Sequence, residues 1–233
     1  MFQWQRRAKD AHDEFEFLRR NMVERQIRDR GIRNSRVLAA MLSIPRHAFV
    51  PIECISDSYT DAPLPIGDGQ TISQPFMVAA MADALALRGD ERVLEIGAGS
   101  GYQAAVLSLL AREVIAVETK PRLAAIARER LARLGYSNVQ IVEADGSAGW
   151  PALAPYHGVV VSAAAPSVPR PLFDQLAEGG RIVIPVGDSE NQQVLRIVKC
   201  GGEPIREGLY HCRFVPLVGE HGWPDAIQRA PSE

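Results

Sequence analysis

The sequence predicts an α/β fold: a doubly wound, mostly parallel sheet with helices at the N-terminus and an antiparallel pair of strands at the C-terminus. Three observations predict it. Apolar runs of strand length alternate with segments of helix length between residues 92 and 186, a pattern typical of parallel sheets. One run leads into a glycine-rich turn at 97–101. Two later runs, 192–199 and 208–216, flank Gly201-Gly202 and favour a hairpin.

Local signals place the individual elements. The amphipathic stretch 10–31 predicts a helix, and Asn34 or Ser35 is suited to cap a second helix that Pro45 ends. The proline- and glycine-rich stretch 51–75 predicts an irregular segment. The remaining apolar periodicity predicts helices at 76–87, 102–111, 121–134 and 169–177, and strands at 92–95, 113–118, 139–143, 158–162 and 181–186.

Composition and charge argue against several classes of protein. The 26 basic and 28 acidic residues give a net charge of −2, so nothing favours nucleic acid as a partner. No apolar run approaches the roughly 20 residues that span a bilayer, and no apolar stretch follows the two arginines at 6 and 7, as it would in an export signal. The three cysteines form no C-x-x-C pair, which predicts neither disulfides nor a metal site. We therefore expect a cytoplasmic protein with no metal and no membrane or nucleic-acid partner, and we favour a monomer.

The turn after the first strand of the sheet indicates which ligand the sheet binds. A dinucleotide-binding turn has the spacing G-x-G-x-x-G, with pyrophosphate at the helix N-terminus. Here Gly97, Gly99 and Gly101 alternate, and Tyr102 occupies the sixth position. Glu95, just before the turn, would repel a pyrophosphate and attract a cation. These features favour a positively charged nucleoside ligand without phosphates, a description that fits S-adenosylmethionine.

Two other strand ends carry residues suited to the same ligand. Glu118 ends the second strand of the sheet, where its carboxylate can accept hydrogen bonds from both ribose hydroxyls and would reject a 2′-phosphate. Asp145 and Gly146 follow the third strand, where a carboxylate can accept from an adenine amino group and a glycine leaves room for the ring. The alternatives are a solvated strand end at Glu118 and an ordinary Asp-Gly turn.

Residues Gln70–Pro75, which we call the hydroxyl segment, carry two hydroxyls and two amides. Ser73 is suited to cap the following helix; alternatively, a hydroxyl or backbone N–H here holds an anionic substrate group. The length of the surrounding irregular stretch favours the second interpretation. Two hydrolase motifs fail: Ala98 breaks G-x-S-x-G at Ser100, and no G-x-x-x-x-G-K-[ST] loop is present.

With these motifs, roughly residues 20–223 resemble the protein-L-isoaspartate O-methyltransferase family. The hydroxyl segment is the most specific part of the resemblance, whereas the glycine-rich turn is shared by many methyltransferases. Further matching segments are Phe49–Pro51, Pro63–Gly67, Gly149–Pro151, Ala163–Pro166, Ile184–Gly187 and Arg213–Leu217. In the Gly67–Gly69 turn, Asp68 stands where the family usually has an aromatic or another polar residue.

The resemblance implies a Rossmann-like methyltransferase fold and a reaction. Enzymes of this family transfer a methyl group from S-adenosylmethionine to the free carboxylate of L-isoaspartyl and, more weakly, D-aspartyl residues in damaged peptides and proteins. The cofactor product is S-adenosylhomocysteine. The methyl ester closes to a succinimide without further catalysis, and hydrolysis of that ring partly restores aspartate.

The resemblance also implies roles for individual residues. It places Ser73 and Thr71 at the substrate carboxylate as the catalytic residues. It assigns the cofactor site to Glu95, Gly97, Gly99, Gly101, Glu118, Asp145 and Gly146. It assigns the substrate groove to Gln70, Ile72, Ala164, Pro166, Phe214 and Val215.

We predict one methyltransferase domain at 21–223, with N-terminal helices and a substrate loop in 21–90 and the cofactor-binding sheet in 91–223. The extension 1–20 and the tail 224–233 have no assigned role. Two alternatives stay open. One is an S-adenosylmethionine-dependent methyltransferase with another carboxylate or peptide substrate, and the other is a non-catalytic module that binds the cofactor.

Overall fold

A seven-stranded sheet carries the fold in the computed structural model, which describes residues 13–224. The strands, in chain order, are β1 Leu64–Gly67, β2 Gln70–Ile72, β3 Arg92–Ile96, β4 Glu113–Glu118, β5 Val139–Glu143, β6 Tyr156–Val161, β7 Leu176–Gly187, β8 Gln192–Cys200 and β9 Glu203–Cys212. The helices are α1 at 13–21, continued by the π-helical Met22–Arg28, then α2 Ser35–Ser43, α3 Pro75–Ala84, α4 Tyr102–Ser108, α5 Pro121–Arg133 and α6 Arg170–Asp174.

The order of the strands confirms the predicted doubly wound sheet. Across the sheet the strands run β5-β4-β3-β6-β7-β8-β9. The five strands from β5 to β7 in this order are parallel, and β8 and β9 add the predicted antiparallel pair at one edge. The chain order reverses between β3 and β6, and the carboxyl ends beside such a switch point form the usual ligand crevice.

Successive residues of the central strands pack into two separate hydrophobic clusters. Val93 and Val114 belong to the cluster that also holds residues of α2 to α5, whereas Leu94 and Ile115 belong to the cluster around α6. Because side chains alternate across a strand, the sheet is buried on both faces. This burial explains why β3 and β4 appear in the sequence as continuous apolar runs.

The predicted irregular stretch 51–75 contains an unpredicted hairpin, in which β1 pairs with β2 in a separate two-stranded sheet. Gly67, Asp68 and Gly69 close its turn with φ angles of 95°, 52° and 70°. Those angles lie in the left-handed region that glycine adopts without cost. The hairpin brings the hydroxyl segment next to the ends of the sheet strands.

Several helices end earlier than predicted. The part of the predicted helix 10–31 that the structure describes becomes π-helical at Met22, where Asp29 N–H bonds to Glu24 O, and residues 10–12 lie outside the described part. Helix α3 ends at Ala84 rather than residue 87, and α4 ends at Ser108 rather than residue 111. Helix α6 ends at Asp174 rather than residue 177, because Leu176 already pairs with Tyr156 in the sheet.

The last strand, β9, begins at Glu203, five residues before the predicted start at residue 208. The two-residue turn Gly201-Gly202 has φ angles of 61° and 81°, so β9 pairs with β8 from Glu203 onwards. The predicted strand 208–216 is therefore wrong at its end. Residues 213–216 leave the hairpin and cross the tips of the parallel strands, where Ala164 N–H donates to Val215 O at 2.8 Å.

Asn34, one of the two predicted caps, is the N-cap of α2. Its side chain accepts from the N–H groups of Arg36 and Val37 at 3.1 and 3.5 Å. We expect Asn34→Ala to lower the free energy of unfolding by about 0.5–2 kcal/mol, the usual cost of losing such a cap. Urea denaturation measures it. Ser35→Ala is the control and should have a much smaller effect; equal losses in both variants would contradict the assignment.

Within the described residues, no helix combines the length and the apolar character needed to cross a membrane. The same residues hold no group of three or more histidine, cysteine, aspartate or glutamate side chains arranged to hold a metal ion.

Candidate active site at the strand tips

The carboxyl ends of β3 and β4 line a cleft, which we call the strand-tip cleft. It encloses about 790 Å³ of space, part of it open to solvent. The walls include the hydroxyl segment, the glycine-rich turn, the start of α4, the end of β4, the residues after β5 and after β6, and the segment 215–218. Ten predicted site residues line it: Gln70, Thr71, Ile72, Ser73, Glu95, Gly97, Gly99, Glu118, Gly146 and Val215.

The glycine-rich turn holds its backbone against the tip of β4. The N–H groups of Gly97 and Ala98 both donate to Val117 O, at 2.8 and 3.1 Å. Gly97 has a φ of 86°, which residues with a Cβ rarely adopt. A Cβ on Gly99 would lie 3.3 Å from Ile66 of β1, so the hairpin packs directly on the turn. The backbone is thus exposed to a ligand from the cleft side and covered by the hairpin.

Glu95 is a fully buried carboxyl in the wall of the cleft. Neither of its oxygens has a hydrogen-bond partner among the described residues. Burial, together with the negative charge of Glu118, raises its pKa well above the ordinary value. A buried carboxylate without a partner is unfavourable, so the site fits a ligand that brings positive charge or hydrogen-bond donors to Glu95.

The raised pKa of Glu95 predicts a pH-dependent stability. A carboxyl whose pKa is higher in the folded state than in the unfolded chain stabilises the fold below its ordinary pKa of 4.5, and that stability is lost as the pH rises towards the folded pKa. We expect Glu95→Gln to raise the free energy of unfolding at pH 7.5, because the neutral amide keeps the shape of the side chain and removes the cost of an unpaired buried charge. At pH 4.5 or below the gain should be small.

Urea denaturation of both proteins from pH 4.5 to pH 7.5 tests this. Glu143→Gln, at the exposed end of β5, is the matched control and should show no such trend. A difference between Glu95→Gln and the native chain that does not grow with pH would contradict the raised pKa.

Glu118 is buried, and each of its carboxylate oxygens accepts one backbone hydrogen bond. Oε2 accepts from Gly99 N–H at 2.8 Å, and Oε1 accepts from Lys120 N–H at 2.9 Å. These bonds fix the carboxylate at the carboxyl end of β4 and leave a free lone pair on each oxygen. The solvated strand end, which was the alternative, is wrong because the side chain is buried.

Asp145 does not line the strand-tip cleft. Its Oδ1 accepts from the N–H and the hydroxyl of Ser147, and its Oδ2 accepts from Glu220 N–H at 2.8 Å. Burial raises its pKa, but these bonds outweigh that effect and hold the pKa below the ordinary value. Gly146, the next residue, does line the cleft, and a Cβ there would lie 2.6 Å from Ile96 Cγ2. Asp145 thus holds the C-terminal segment, through Glu220, next to Gly146.

The hydroxyl segment lies between the strand-tip cleft and a second depression, which we call the side groove. Thr71 and Ser73 line both, together with Ser162 and Val215. Ser73 does not cap α3: the cap position is Gln74, and its side chain makes no capping bond. No hydrogen bond of the Ser73 hydroxyl is found within the described residues. A neutral hydroxyl therefore lies where the two spaces meet.

Five predicted site residues do not line the strand-tip cleft. Gly101 faces α5, where a Cβ would meet Leu131 at 3.3 Å. Ala164 is buried and binds the segment 215–217 through its backbone. Phe214 lines the side groove, and Pro166 is exposed. Asp145, described above, is the fifth predicted residue outside the lining.

Sequence reasoning missed two features of the site. Leu217 and Val218 line the strand-tip cleft, and only the matching segment Arg213–Leu217 pointed towards them. The second is an ion pair between Asp68 of the hairpin turn and Arg122 of α5, at 3.2 Å. It joins the turn of the hairpin to the start of α5.

Comparisons with known proteins identify the family. A family model described as protein-L-isoaspartate(D-aspartate) O-methyltransferase matches residues 18–222. Proteins named protein-L-isoaspartate O-methyltransferase from Methanoculleus marisnigri and Geobacter metallireducens are 53% and 52% identical to this chain. The matches cover 90% of this chain in both cases, and 95% and 97% of those proteins. The chain belongs to the protein-L-isoaspartate (D-aspartate) O-methyltransferase family. The predicted resemblance is confirmed, and the chain is an S-adenosylmethionine-dependent methyltransferase.

Solved structures of the same family have the same fold. A protein-L-isoaspartate O-methyltransferase gives a TM-score of 0.80 at 31% identity, covering 88% of this chain and 67% of that one. A Plasmodium falciparum protein of this kind, crystallised with S-adenosyl-L-homocysteine, gives 0.73 at 26% identity, covering 84% and 96%. The Rossmann-like methyltransferase fold predicted from the sequence is therefore confirmed.

Proposed function

We propose that the strand-tip cleft holds S-adenosylmethionine and that Ser73 and Thr71 hold the free carboxylate of an L-isoaspartyl residue against it. The reaction of the family, methyl transfer to that carboxylate at the start of repair, is the reaction of this chain. The proposal adds the residues that perform it. One observation carries it: Thr71 and Ser73 both line the strand-tip cleft and the neighbouring side groove at once.

The cleft residues fit the cofactor by their chemistry. Glu95 offers an unpaired carboxyl to positive charge, and Glu118 keeps lone pairs free for ribose hydroxyls while its backbone bonds hold it in place. Gly97 and Gly99 leave the backbone open, and Gly146, where a Cβ would clash with Ile96, gives the cleft a wall without a side chain. When bound, S-adenosylmethionine supplies an electrophilic methyl group on a positively charged sulfur.

The substrate side needs a means of positioning rather than a base. A carboxyl with an ordinary pKa near 4 is already ionised at neutral pH. The hydroxyls of Ser73 and Thr71 can donate hydrogen bonds that orient it without the full charge of an arginine, which would weaken the carboxylate as a nucleophile. Positioning of this kind contributes about 7–11 kcal/mol in favourable cases. Apolar cleft residues such as Val215 and Leu217 exclude water, which favours a reaction in which opposite charges neutralise each other.

The side groove is our proposed path for the peptide. Phe214 and Val215 form one of its sides, and the hydroxyl segment forms the other. Gln70 and Ile72 line the adjacent cleft, and Ala164 supports Val215 through its backbone. We propose that Pro166, which is exposed, borders the groove from outside.

The test is incubation with S-adenosylmethionine labelled in its methyl group and a matched pair of peptides, one isoaspartyl and one aspartyl. We expect base-labile label in the isoaspartyl peptide alone. A third peptide with D-aspartate measures the weaker activity. Label in both members of the pair would instead favour a methyltransferase for another carboxylate, and cofactor binding without label would favour the non-catalytic module.

The wider setting is part of the same proposal. The net charge of −2 gives no support for a nucleic-acid partner, and the cysteines Cys54, Cys200 and Cys212 are free, which supports a cytoplasmic location. We infer a monomer and a single domain at 21–223. The proposed extension 1–20 and tail 224–233 lie largely outside the described residues.

A further inference from the structure

Arg46 is a fully buried arginine beneath the hydroxyl segment. It begins the short 3-10 turn Arg46–Phe49 after α2. No carboxylate forms a salt bridge with it among the described residues. Arginine is rarely buried unless it is paired, because desolvating the charge is costly. The hydrogen bonds of Arg46 therefore indicate why the fold keeps a buried charge at this position.

The guanidinium group joins three parts of the chain. Nε donates to Ser58 O at 2.8 Å, and Nη2 donates to Ser73 O at 2.9 Å. The guanidinium carbon lies 4.9 Å from the centre of the Tyr102 ring. The remaining nitrogen, Nη1, is buried and has no partner in the described part of the chain.

The Tyr102 contact brings the cofactor side into the same cluster. Tyr102 is the first residue of α4, follows the glycine-rich turn directly and lines the strand-tip cleft. Burial raises the pKa of Tyr102 to about 12, although the nearby Arg46 charge lowers it. One rigid, planar group thus contacts the helix that begins at the cofactor turn and the backbone of the proposed substrate-holding serine.

We propose that Arg46 is a positioning residue, which sets the Ser73 hydroxyl relative to the cofactor turn by holding the Ser73 carbonyl and the Tyr102 ring with one guanidinium group. The inference rests on the proposed role of Ser73. Arg46 does not touch the reacting atoms. It fixes the backbone from which the hydroxyl projects, and small displacements of a positioning group are costly in rate.

The test is a double-mutant cycle in the full chain between Arg46→Lys and Ser73→Ala. Lysine keeps the charge but loses the planar fork. We expect Arg46→Lys to lower kcat on an isoaspartyl peptide about 10- to 100-fold, and to change the dissociation constant for S-adenosylhomocysteine by less than about threefold. In the Arg46→Lys background, Ser73→Ala should have little further effect, because the hydroxyl is already displaced.

Arg36 offers a matched control. Its guanidinium also donates to two backbone carbonyls, Leu87 O at 2.7 Å and Leu110 O at 2.8 Å, and it lies away from both the cleft and the side groove. Arg36→Lys should lower the melting temperature and leave kcat unchanged. In that background Ser73→Ala should keep its whole effect.

The other possible results would overturn either the role of Arg46 or that of Ser73. Should Arg46→Lys reduce only the melting temperature, or should its effect multiply with that of Ser73→Ala, Arg46 is not a positioning residue. Arg46→Gln, which removes the buried charge, repeats the cycle if the lysine variant does not fold, and failure of both to fold would assign Arg46 to the framework and overturn the proposal. A silent Ser73→Ala in the native background overturns instead the proposed role of Ser73.

Discussion

Glu118→Ala is expected to raise the dissociation constant for S-adenosylhomocysteine roughly 100-fold, the loss of about 2.7 kcal/mol of binding free energy. The carboxylate is held by Gly99 N–H and Lys120 N–H, so its free lone pairs face the ligand in a fixed direction. Alanine removes both proposed bonds to the ribose. It also leaves two backbone N–H groups without their acceptor, which loosens the glycine-rich turn.

Calorimetric titration measures this effect, and two further variants make it specific. Glu118→Gln keeps one acceptor oxygen and should give an intermediate affinity. Glu143→Ala removes the carboxylate paired in register with Glu118 on the neighbouring strand, but at an exposed position, and should bind as the native chain does. Unchanged binding by Glu118→Ala would remove the ribose role from this residue.

Glu118→Ala should leave the binding of the peptide substrate unchanged. At saturating cofactor, we expect the KM of Glu118→Ala for an isoaspartyl peptide to stay close to the native value, because Glu118 lines the strand-tip cleft but not the side groove. A KM raised as much as the cofactor dissociation constant would mean that the two sites are not separable in the way the geometry indicates.

The central sheet was predictable because its strands are buried on both faces. Strand 113–118 matches the observed bounds of β4, since a continuous apolar run marks such a strand directly. Strand 139–143 also matches the bounds of β5, although β5 is an edge strand with Gln140 and Glu143 exposed. The β1-β2 hairpin was not predictable in the same way. Its strands are short and rich in proline and glycine, and its stability depends on contacts such as Ile66 against Gly99, which local sequence does not reveal.

The site was predictable where it follows from topology. Glu95, Gly97 and Glu118 stand at the ends of parallel strands, and parallel strands end at one edge of a sheet. Leu217 and Arg46 were not predictable, because each reaches the site by a long-range path. Leu217 depends on where the chain goes after β9, and Arg46 reaches Ser73 at a sequence separation of 27 residues.

Ser73→Ala is expected to lower kcat on an isoaspartyl peptide about 10- to 100-fold, the usual cost of about 1.5–3 kcal/mol for a hydrogen bond to a charged group. Affinity for S-adenosylhomocysteine should stay within about twofold of the native value. Initial rates of methyl transfer at saturating cofactor provide the measurement. Ser137→Ala, on the exposed connection after α5, is the control and should leave both quantities unchanged.

Stability separates the two interpretations of Ser73. If its hydroxyl capped α3, alanine would cost about 1 kcal/mol of unfolding free energy. The observed cap position is Gln74, which makes no capping bond, so Ser73→Ala should unfold at nearly the native urea concentration. A loss of stability without a loss of rate would favour the capping role that the structure argues against.

Substitutions at the neighbouring hydroxyl, that of Thr71, should lower kcat to a different extent from those at Ser73. A general disturbance of the cleft would not produce such a ranking. Thr71 is exposed, whereas Ser73 is half-buried and is held by Arg46 through its carbonyl. A hydrogen bond in a drier and more rigid place contributes more than one exposed to water. Thr71→Val should therefore reduce kcat less than Ser73→Ala, and Ser73→Thr, which keeps a hydroxyl, should recover much of the rate. A larger loss from Thr71→Val would transfer the main role in holding the carboxylate to Thr71.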